Sequence, residues 1–338
     1  MTHTRTRTVA LIRVDGDLLE SVRSAMTQSG ILDRVNADSR VCLKPNLTYP
    51  YYKPGVTTSP AVIAAVVRIL SERTNNVAIV ETDGGYGAWK AVEAFEGHGL
   101  YAMREEFGCQ IVNLCDEPSA PIEFTARGKT RQLALPTRLL FETDLFITMP
   151  VPKIHCMTGL SLSYKNQWGC VPDIMRLRRH YIFDEAIVAI NQRLKPAVLA
   201  DGTFFLDQNG PMEGVPIRMD LIIGASDTGS FDRYVSELMG IPWRRVRHLR
   251  LAAAAGDLPP DLAAVECNVP PAGIGRRVFH LKRTLRNWIA LVGFRSRFVT
   301  WFGYESWFGR VVLHWILYAI AGRPVPPAGS ESSDRAQR

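Results

Sequence analysis

Ser59-Pro-Ala-Val-Ile-Ala-Ala-Val-Val-Arg-Ile-Leu-Ser71 lies between two short apolar runs, Val41-Cys-Leu-Lys44 and Val77-Ala-Ile-Val-Glu81. Its apolar residues Val62, Val66, Ile69 and Leu70 recur at helical steps. They follow Thr58-Ser59-Pro60, which supplies a capping hydroxyl and a proline for the first turn. Strand, amphipathic helix and strand in succession read as a βαβ unit with parallel strands. The alternation continues on both sides, with strands predicted over 8–14, 111–114, 144–149, 197–200 and 221–224, the last feeding a helix that starts near Asp227. The predicted class is therefore α/β: two-lobed, with a mainly parallel sheet flanked by helices and a C-terminal amphipathic helical extension. Residues 1–270 form the expected body, with a hinge between lobes near 145–200. Residues 271–323 are expected as basic, aromatic amphipathic helices and 324–338 as a disordered, Pro/Ser/Gly-rich tail.

The bulk properties agree with a folded globular chain. At 338 residues, 46% hydrophobic and 22% charged, the sequence is neither disordered, collagen-like nor a coiled coil. Six scattered cysteines, Cys42, Cys109, Cys115, Cys156, Cys170 and Cys267, contain neither a CxxC pair nor a ferredoxin-type run. They read as reduced thiols of a cytoplasmic protein. The N-terminal apolar run ends at Arg13, too soon for a secretion signal, and the apolar stretch 311–321 is too short to span a bilayer.

In open α/β sheets ligands bind beyond the carboxyl ends of the strands. Lys44-Pro45-Asn46, Thr82-Asp83-Gly84, the segment 153–166, Asp201-Gly202 and Ser226-Asp227 all fall at such ends and are predicted to line one rim. Turn requirements alone explain a Gly, Asp or Asn in any one of these loops, and helix capping explains Asp227 equally well. Asp201, Asp227 and Asp232 also have the chemistry to hold Mg²⁺ or a sugar hydroxyl.

Met149-Pro-Val-Pro-Lys-Ile-His-Cys-Met-Thr-Gly-Leu-Ser-Leu-Ser-Tyr-Lys-Asn-Gln-Trp-Gly-Cys170 is the most informative polar stretch. Two lysines among hydroxyls and glycines suit a phosphate or carboxylate, which backbone N–H groups and ammonium charge would hold together. A desolvated lysine there has a lowered pKa and can act as base, nucleophile or attachment point. On this reading His155, Lys165 and Asp83 are the catalytic candidates. Lys44, Asn46, Thr58, Lys153, Thr158, Ser161, Asn166 and Asp201 are the candidates for binding an anionic small molecule. His180, preceded by Arg176, Arg178 and Arg179, adds an imidazole nearby. A hydrogen-bonded structural His155 and a solvated arginine face are the plainer alternatives.

The ordered set Lys44-Pro45-Asn46, Thr57-Thr58-Ser59-Pro60, Thr82-Asp83-Gly84, Pro152-Lys153-Ile154-His155 with Thr158-Gly159-Leu160-Ser161 and Lys165-Asn166, Asp201-Gly202, Asn209-Gly210-Pro211 and Asp227 with Asp232 resembles family 362 of the domains of unknown function. The resemblance covers roughly residues 40–250. It implies a two-lobed α/β protein whose reaction is open, with oxidoreductase or isomerase chemistry favoured. Some members carry an iron–sulfur module, for which this chain lacks clustered cysteines. The string from His155 to Lys165, followed by His180, is more distantly similar to lactate racemases. That similarity implies a metal- or nucleotide-derived cofactor: His155 would be the acid/base histidine, Lys165 the anchor of a nickel-pincer nucleotide and His180 a metal ligand. The racemases' Asp-Asp-x-Thr-Arg motif is replaced here by Lys44-Pro45-Asn46.

The net charge of +7 is concentrated at one end: residues 271–338 hold eleven Lys/Arg against three Asp/Glu. Within 276–292, Val278, Leu281, Leu285, Trp288, Ile289 and Val292 recur at three- and four-residue steps while Arg277, Lys282, Arg283 and Arg286 lie off the stripe. This predicts a basic amphipathic helix, extended by Trp301, Trp307, Phe308 and Trp315, with an anionic membrane surface as partner of residues 276–318. A helical cover over the body or a homodimer seam is the alternative, and nucleic acid is disfavoured because the body carries no basic excess. The sequence thus predicts a cytoplasmic enzyme, peripheral at the inner face of the membrane, acting on an anionic substrate through a Lys/His loop. A non-catalytic nucleotide- or metal-binding adaptor recruited by its tail and a nickel-pincer-type racemase or epimerase remain the alternatives.

Overall fold

The computed structural model describes residues 6–274, 277–294, 296–313, 315–316 and 319. Strand and helix alternate first: β1 (Thr8–Arg13), α1 (Leu18–Gln28), β2 (Val41–Pro45), α2 (Pro60–Ser71), β3 (Val77–Glu81), α3 (Ala91–Gly97), α4 (Leu100–Phe107) and β4 (Gln110–Asn113). A hairpin of β5 (Ser119–Ala126) and β6 (Lys129–Pro136), then α5 (Thr137–Phe141) and β7 (Leu145–Met149), follow. A second, tight hairpin, β8 (Lys153–His155) and β9 (Gly159–Ser161), leads into the single turn α6 (Ser163–Asn166) and then α7 (Phe183–Leu194). Next come β10 (Ala197–Asp207), β11 (Val215–Ala225), α8 (Thr228–Leu238), α9 (Arg247–Ala254) and β12 (Glu266–Cys267), and finally α10 (Leu285–Gly293) and α11 (Arg297–Tyr304).

The main sheet runs in the order β12-β1-β11-β10-β7-β2-β3-β4. Strands β10, β7, β2, β3 and β4 pair in parallel, whereas β11 is antiparallel to both β10 and β1. The expected mainly parallel α/β sheet is thus present. Strands β2, β3 and β7 are buried along their whole length, as parallel strands covered on both faces must be. Side chains alternate between two cores: Val41 and Leu43 face the core under α1, α2 and α4, and Cys42 faces the one under α7, α8 and α9. All six cysteines are free thiols.

Four local expectations need correction. The strand predicted over 197–200 continues to Asp207, because Asp201-Gly202 opens a bulge rather than a turn. A Cβ on Gly202 would meet the Leu221 carbonyl at 2.8 Å, so the close approach of β11 requires glycine. Ser59 stands at the start of α2, but its hydroxyl does not cap the helix; its N–H donates to Asp201 Oδ2 at 2.7 Å instead. Residues 153–166 form a buried hairpin and helical turn rather than an open loop.

The fourth correction concerns the C-terminal segment. Residues 277–284 are not helical, and helix begins only at Leu285. Phe279 is buried against Phe205, with ring centroids 5.7 Å apart, and the His280 N–H donates to Asp207 Oδ1 at 2.7 Å. Those tertiary contacts hold the segment extended despite its helical periodicity. Thr284 and Asn287 then exchange side-chain-to-backbone hydrogen bonds that start α10. Among the described residues no helix is long and apolar enough to cross a membrane. The tail expected to be disordered, 324–338, lies outside the described residues.

Candidate active site at the strand ends

Strands β2, β3 and β7 end side by side, with Lys44 opposite Thr148 in the ladder. Beyond those ends lies a cavity of about 190 Å³ bordered by Lys44, Asn46, Glu81, Lys153, Lys165 and Arg176, with Ser161 and Asn166 in the wall. The parallel topology brings these residues together from chain segments far apart, at the edge where such sheets bind ligands.

The three lysines differ in their surroundings. Lys44 Nζ donates to Glu81 Oε2 at 2.7 Å and to the Pro45 carbonyl at 3.2 Å. The Glu81 carboxylate also accepts from the Thr82 N–H at 2.9 Å. Lys44 is therefore already neutralised, which removes it as the principal anion holder. Lys153 is 1% exposed and donates to the Val56 carbonyl; burial, with repulsion from Lys165 second, drives its pKa well below the lysine range. Lys165 stands 5.7 Å from the Phe183 ring centroid, and burial lowers its pKa to about 8. Neither Lys153 nor Lys165 forms an ion pair among the described residues. Arg176 reaches inward from the arginine cluster and donates to the carbonyls of Asp83 at 3.0 Å and Val171 at 3.3 Å. Arg178 and Arg179 stay outside, on Asp173.

A buried polar chain fixes α6, which carries Lys165. Asn166 Nδ2 donates to the Lys44 carbonyl at 3.2 Å and to Thr148 Oγ1 at 2.8 Å. Thr148 donates to Gln167, whose amide donates to Asn191. Asp232 accepts from the Ser163 hydroxyl and, at 2.8 Å, from the Ser163 N–H, and burial pushes its carboxyl up to about 7. The turn before Lys165 is thus anchored to α8, and every member of the chain has a partner.

Several predicted residues stand elsewhere. Asp83 accepts from the Ala91 N–H at 2.8 Å and from Lys90 Nζ at 3.0 Å, so it caps α3 behind the cavity wall. Thr58 bridges the Asn46 N–H and the Met149 carbonyl, and Asp201 takes the N–H groups of Ser59 and Thr203. Both brace the strand ends from outside the cavity. Asp227 is the N-cap of α8. His155, Thr158 and His180 border a second, larger cavity of about 940 Å³, and Lys165 borders both. His155 Nδ1 accepts from the Met157 N–H at 3.1 Å, which leaves Nε2 as the ring's donor.

His180 does not fit the metal-ligand role. Its ring stacks on Phe183 at 4.9 Å with Trp168 and Phe294 nearby, and its Nδ1 bonds the Leu177 carbonyl. Among the described residues no group of three or more His, Cys, Asp or Glu side chains could hold a metal ion. Among the described residues a nickel centre therefore lacks its donor set around His180.

Glu81 and Arg176 were not identified from the sequence as site residues. Glu81 carried a signal: a carboxylate closing a run of otherwise apolar, fully buried strand residues needs a partner, and Lys44 closes the neighbouring strand. Nothing local distinguished Arg176 from its solvated neighbours.

Residues 41–237 match the family described as "Domain of unknown function (DUF362)". The chain is similar to a thylakoid-associated protein of Synechocystis, 26% identical over 248 residues that cover 69% of this chain and 74% of that one. It also resembles the crystal structure of a Thermotoga maritima protein at 12% identity and a TM-score of 0.38, over 63% of this chain. The match spans 56% of that protein's length.

Proposed function

The chain belongs to the DUF362 family, and from that premise we propose that it is an enzyme that binds a small carboxylate or phosphate at the strand ends while held on a membrane surface. The observation that carries this reading is the contrast between lysines. Lys44 has Glu81, whereas Lys153 and Lys165 border the same cavity without a carboxylate and with lowered pKa values. A bound anion between them would favour the ammonium form that burial disfavours in both lysines, and Arg176 on the same wall adds a further cation. With a pKa of about 8, Lys165 is about one-tenth neutral amine at pH 7. It can therefore take a proton from a bound substrate while Lys153 orients the anionic group.

The membrane part of the proposal rests on the C-terminal helices. Trp307 and Trp315 are 72% and 71% exposed and Phe298 is 69% exposed, with Arg297 alongside. Exposed tryptophan beside arginine suits the headgroup region of an anionic leaflet. The thylakoid association named for the Synechocystis relative agrees with this direction.

Isothermal titration of the full chain with inorganic phosphate and with oxalate tests the binding site. Lys165→Ala is expected to weaken at least one of the two anions by tenfold or more with an unchanged melting temperature. Unchanged affinity for both would remove Lys165 from the site.

A further inference from the structure

The larger cavity is a different kind of space. Its volume of about 940 Å³ is at the upper end of small-molecule pockets. One part of its wall is cationic, with Arg245, Arg250 and Arg283. Arg245 and Arg250 are exposed, Arg250 Nη1 donates to the Arg244 carbonyl at 3.1 Å, and none of the three forms an ion pair among the described residues. Arg283 is aimed by its Nε, which donates to the Cys156 carbonyl at 2.6 Å. The acidic member of the wall, Asp184, lies 3.5 Å from His248 and 3.8 Å from Arg247. The other part is apolar: Leu281, Leu291 and Phe294 of the C-terminal segment line it together with Met157 of the β8–β9 turn.

We propose that this cavity binds an anionic amphiphile with a single apolar chain, its headgroup at Arg245, Arg250 and Arg283 and its chain under the C-terminal segment. Three observations converge. Uncompensated guanidinium groups select a carboxylate or phosphate headgroup, because both accept two parallel N–H donors. An apolar wall would be wet and unfavourable beneath a purely polar ligand, but it gains from burying a chain. The segment that forms this wall continues directly into the aromatic surface of α10 and α11, where Trp288 is 51% and Trp301 48% exposed. The body and the C-terminal extension thus meet at one ligand: the segment that presents tryptophan to the outside also lines the cavity. The site stands apart from the anion cavity at the strand ends, which it touches only through Lys165.

The test uses the full chain with dodecyl phosphate, dodecanoate and the neutral dodecyl glucoside, each below its critical micelle concentration, with native mass spectrometry and titration calorimetry as readouts. One-to-one binding of at least one anionic probe, with binding of the glucoside tenfold weaker or more, is expected. The double variant Arg245→Glu/Arg250→Glu changes two exposed side chains and is expected to weaken the anionic probe by tenfold or more. Met157→Trp, which narrows the cavity beside its apolar wall and leaves every charge in place, is expected to do the same. Offering dodecyl phosphate free or in phosphatidylcholine vesicles distinguishes capture from solution from capture from a bilayer, and uptake by either route supports the site. Equal affinity for the glucoside, or unchanged anionic affinity in both variants, overturns the proposal. Phosphate binding at the strand ends should survive Arg245→Glu/Arg250→Glu, so failure of either site is read independently of the other.

Discussion

Lys44 Nζ lies 2.7 Å from Glu81 Oε2, with the two side chains only 2% and 7% exposed, where β2 and β3 end together. Two buried charges at the end of an apolar layer are tolerated only as a pair. Glu81→Gln leaves the ammonium uncompensated and is expected to cost about 3–5 kcal/mol, read as a lower urea midpoint. The double variant Lys44→Met/Glu81→Leu should lose much less than the sum of the two single changes, since it removes both charges.

Gly169 keeps this pair in place. A Cβ there would meet Lys44 Nζ at 2.9 Å and Glu81 Oε1 at 3.2 Å. Gly169→Ala is expected to displace the lysine and destabilise the fold by about 1–3 kcal/mol. A serine at 169 should be no better, and thermal unfolding of the two variants checks both.

Asp232 makes stability depend on pH in an uncommon direction. Its folded pKa of about 7 lies above the model-compound value of 3.8, so the folded state holds the proton more tightly than the unfolded chain. Its contribution is fully present below the unfolded value and is lost as pH rises toward about 7. Asp232→Asn keeps an acceptor for the Ser163 N–H and cannot ionise. Denaturant titrations from pH 4 to 8 should find the variant's stability flatter than that of the native chain, which declines over this window.

Lys165 predicts a pH limit for anion binding. Sulfate, whose charge is constant over the range, should bind progressively more weakly above about pH 8, as the Lys165 amine loses its proton. Lys165→Arg remains charged and should extend binding to higher pH. Calorimetric titration between pH 6.5 and 10 distinguishes the two profiles.

Trp301 and Trp307, at 48% and 72% exposure, project from the C-terminal segment. Trp301→Glu/Trp307→Glu is expected to reduce co-sedimentation with phosphatidylglycerol vesicles by fivefold or more while leaving the melting temperature unchanged. Equal co-sedimentation would assign the aromatic surface to another partner.

What was legible before the tertiary structure depended on local pattern. Apolar spacing over 59–71 and the runs around it identify the parallel βαβ core, and the stretch from Lys153 to Asn166 identifies the neighbourhood of the cavity. The β5–β6 hairpin was less visible, because its Arg127-Gly128 turn puts a positive φ on an arginine, a residue that rarely announces such a turn.

The sequence by itself determined the sheet's class, the family and the chemistry available at the strand ends, since periodicity and ordered motifs are properties of neighbouring residues. Only the tertiary structure decided how that chemistry is divided. It pairs Lys44 with Glu81, turns Asp83 and Asp201 into braces, encloses His180 in aromatic rings and unwinds residues 277–284 to seat Phe279 on Phe205. The physical reason is the same in each case: a charge or ring takes its partner from whichever segment the sheet order brings beside it, and burial makes that partner more decisive than local preference.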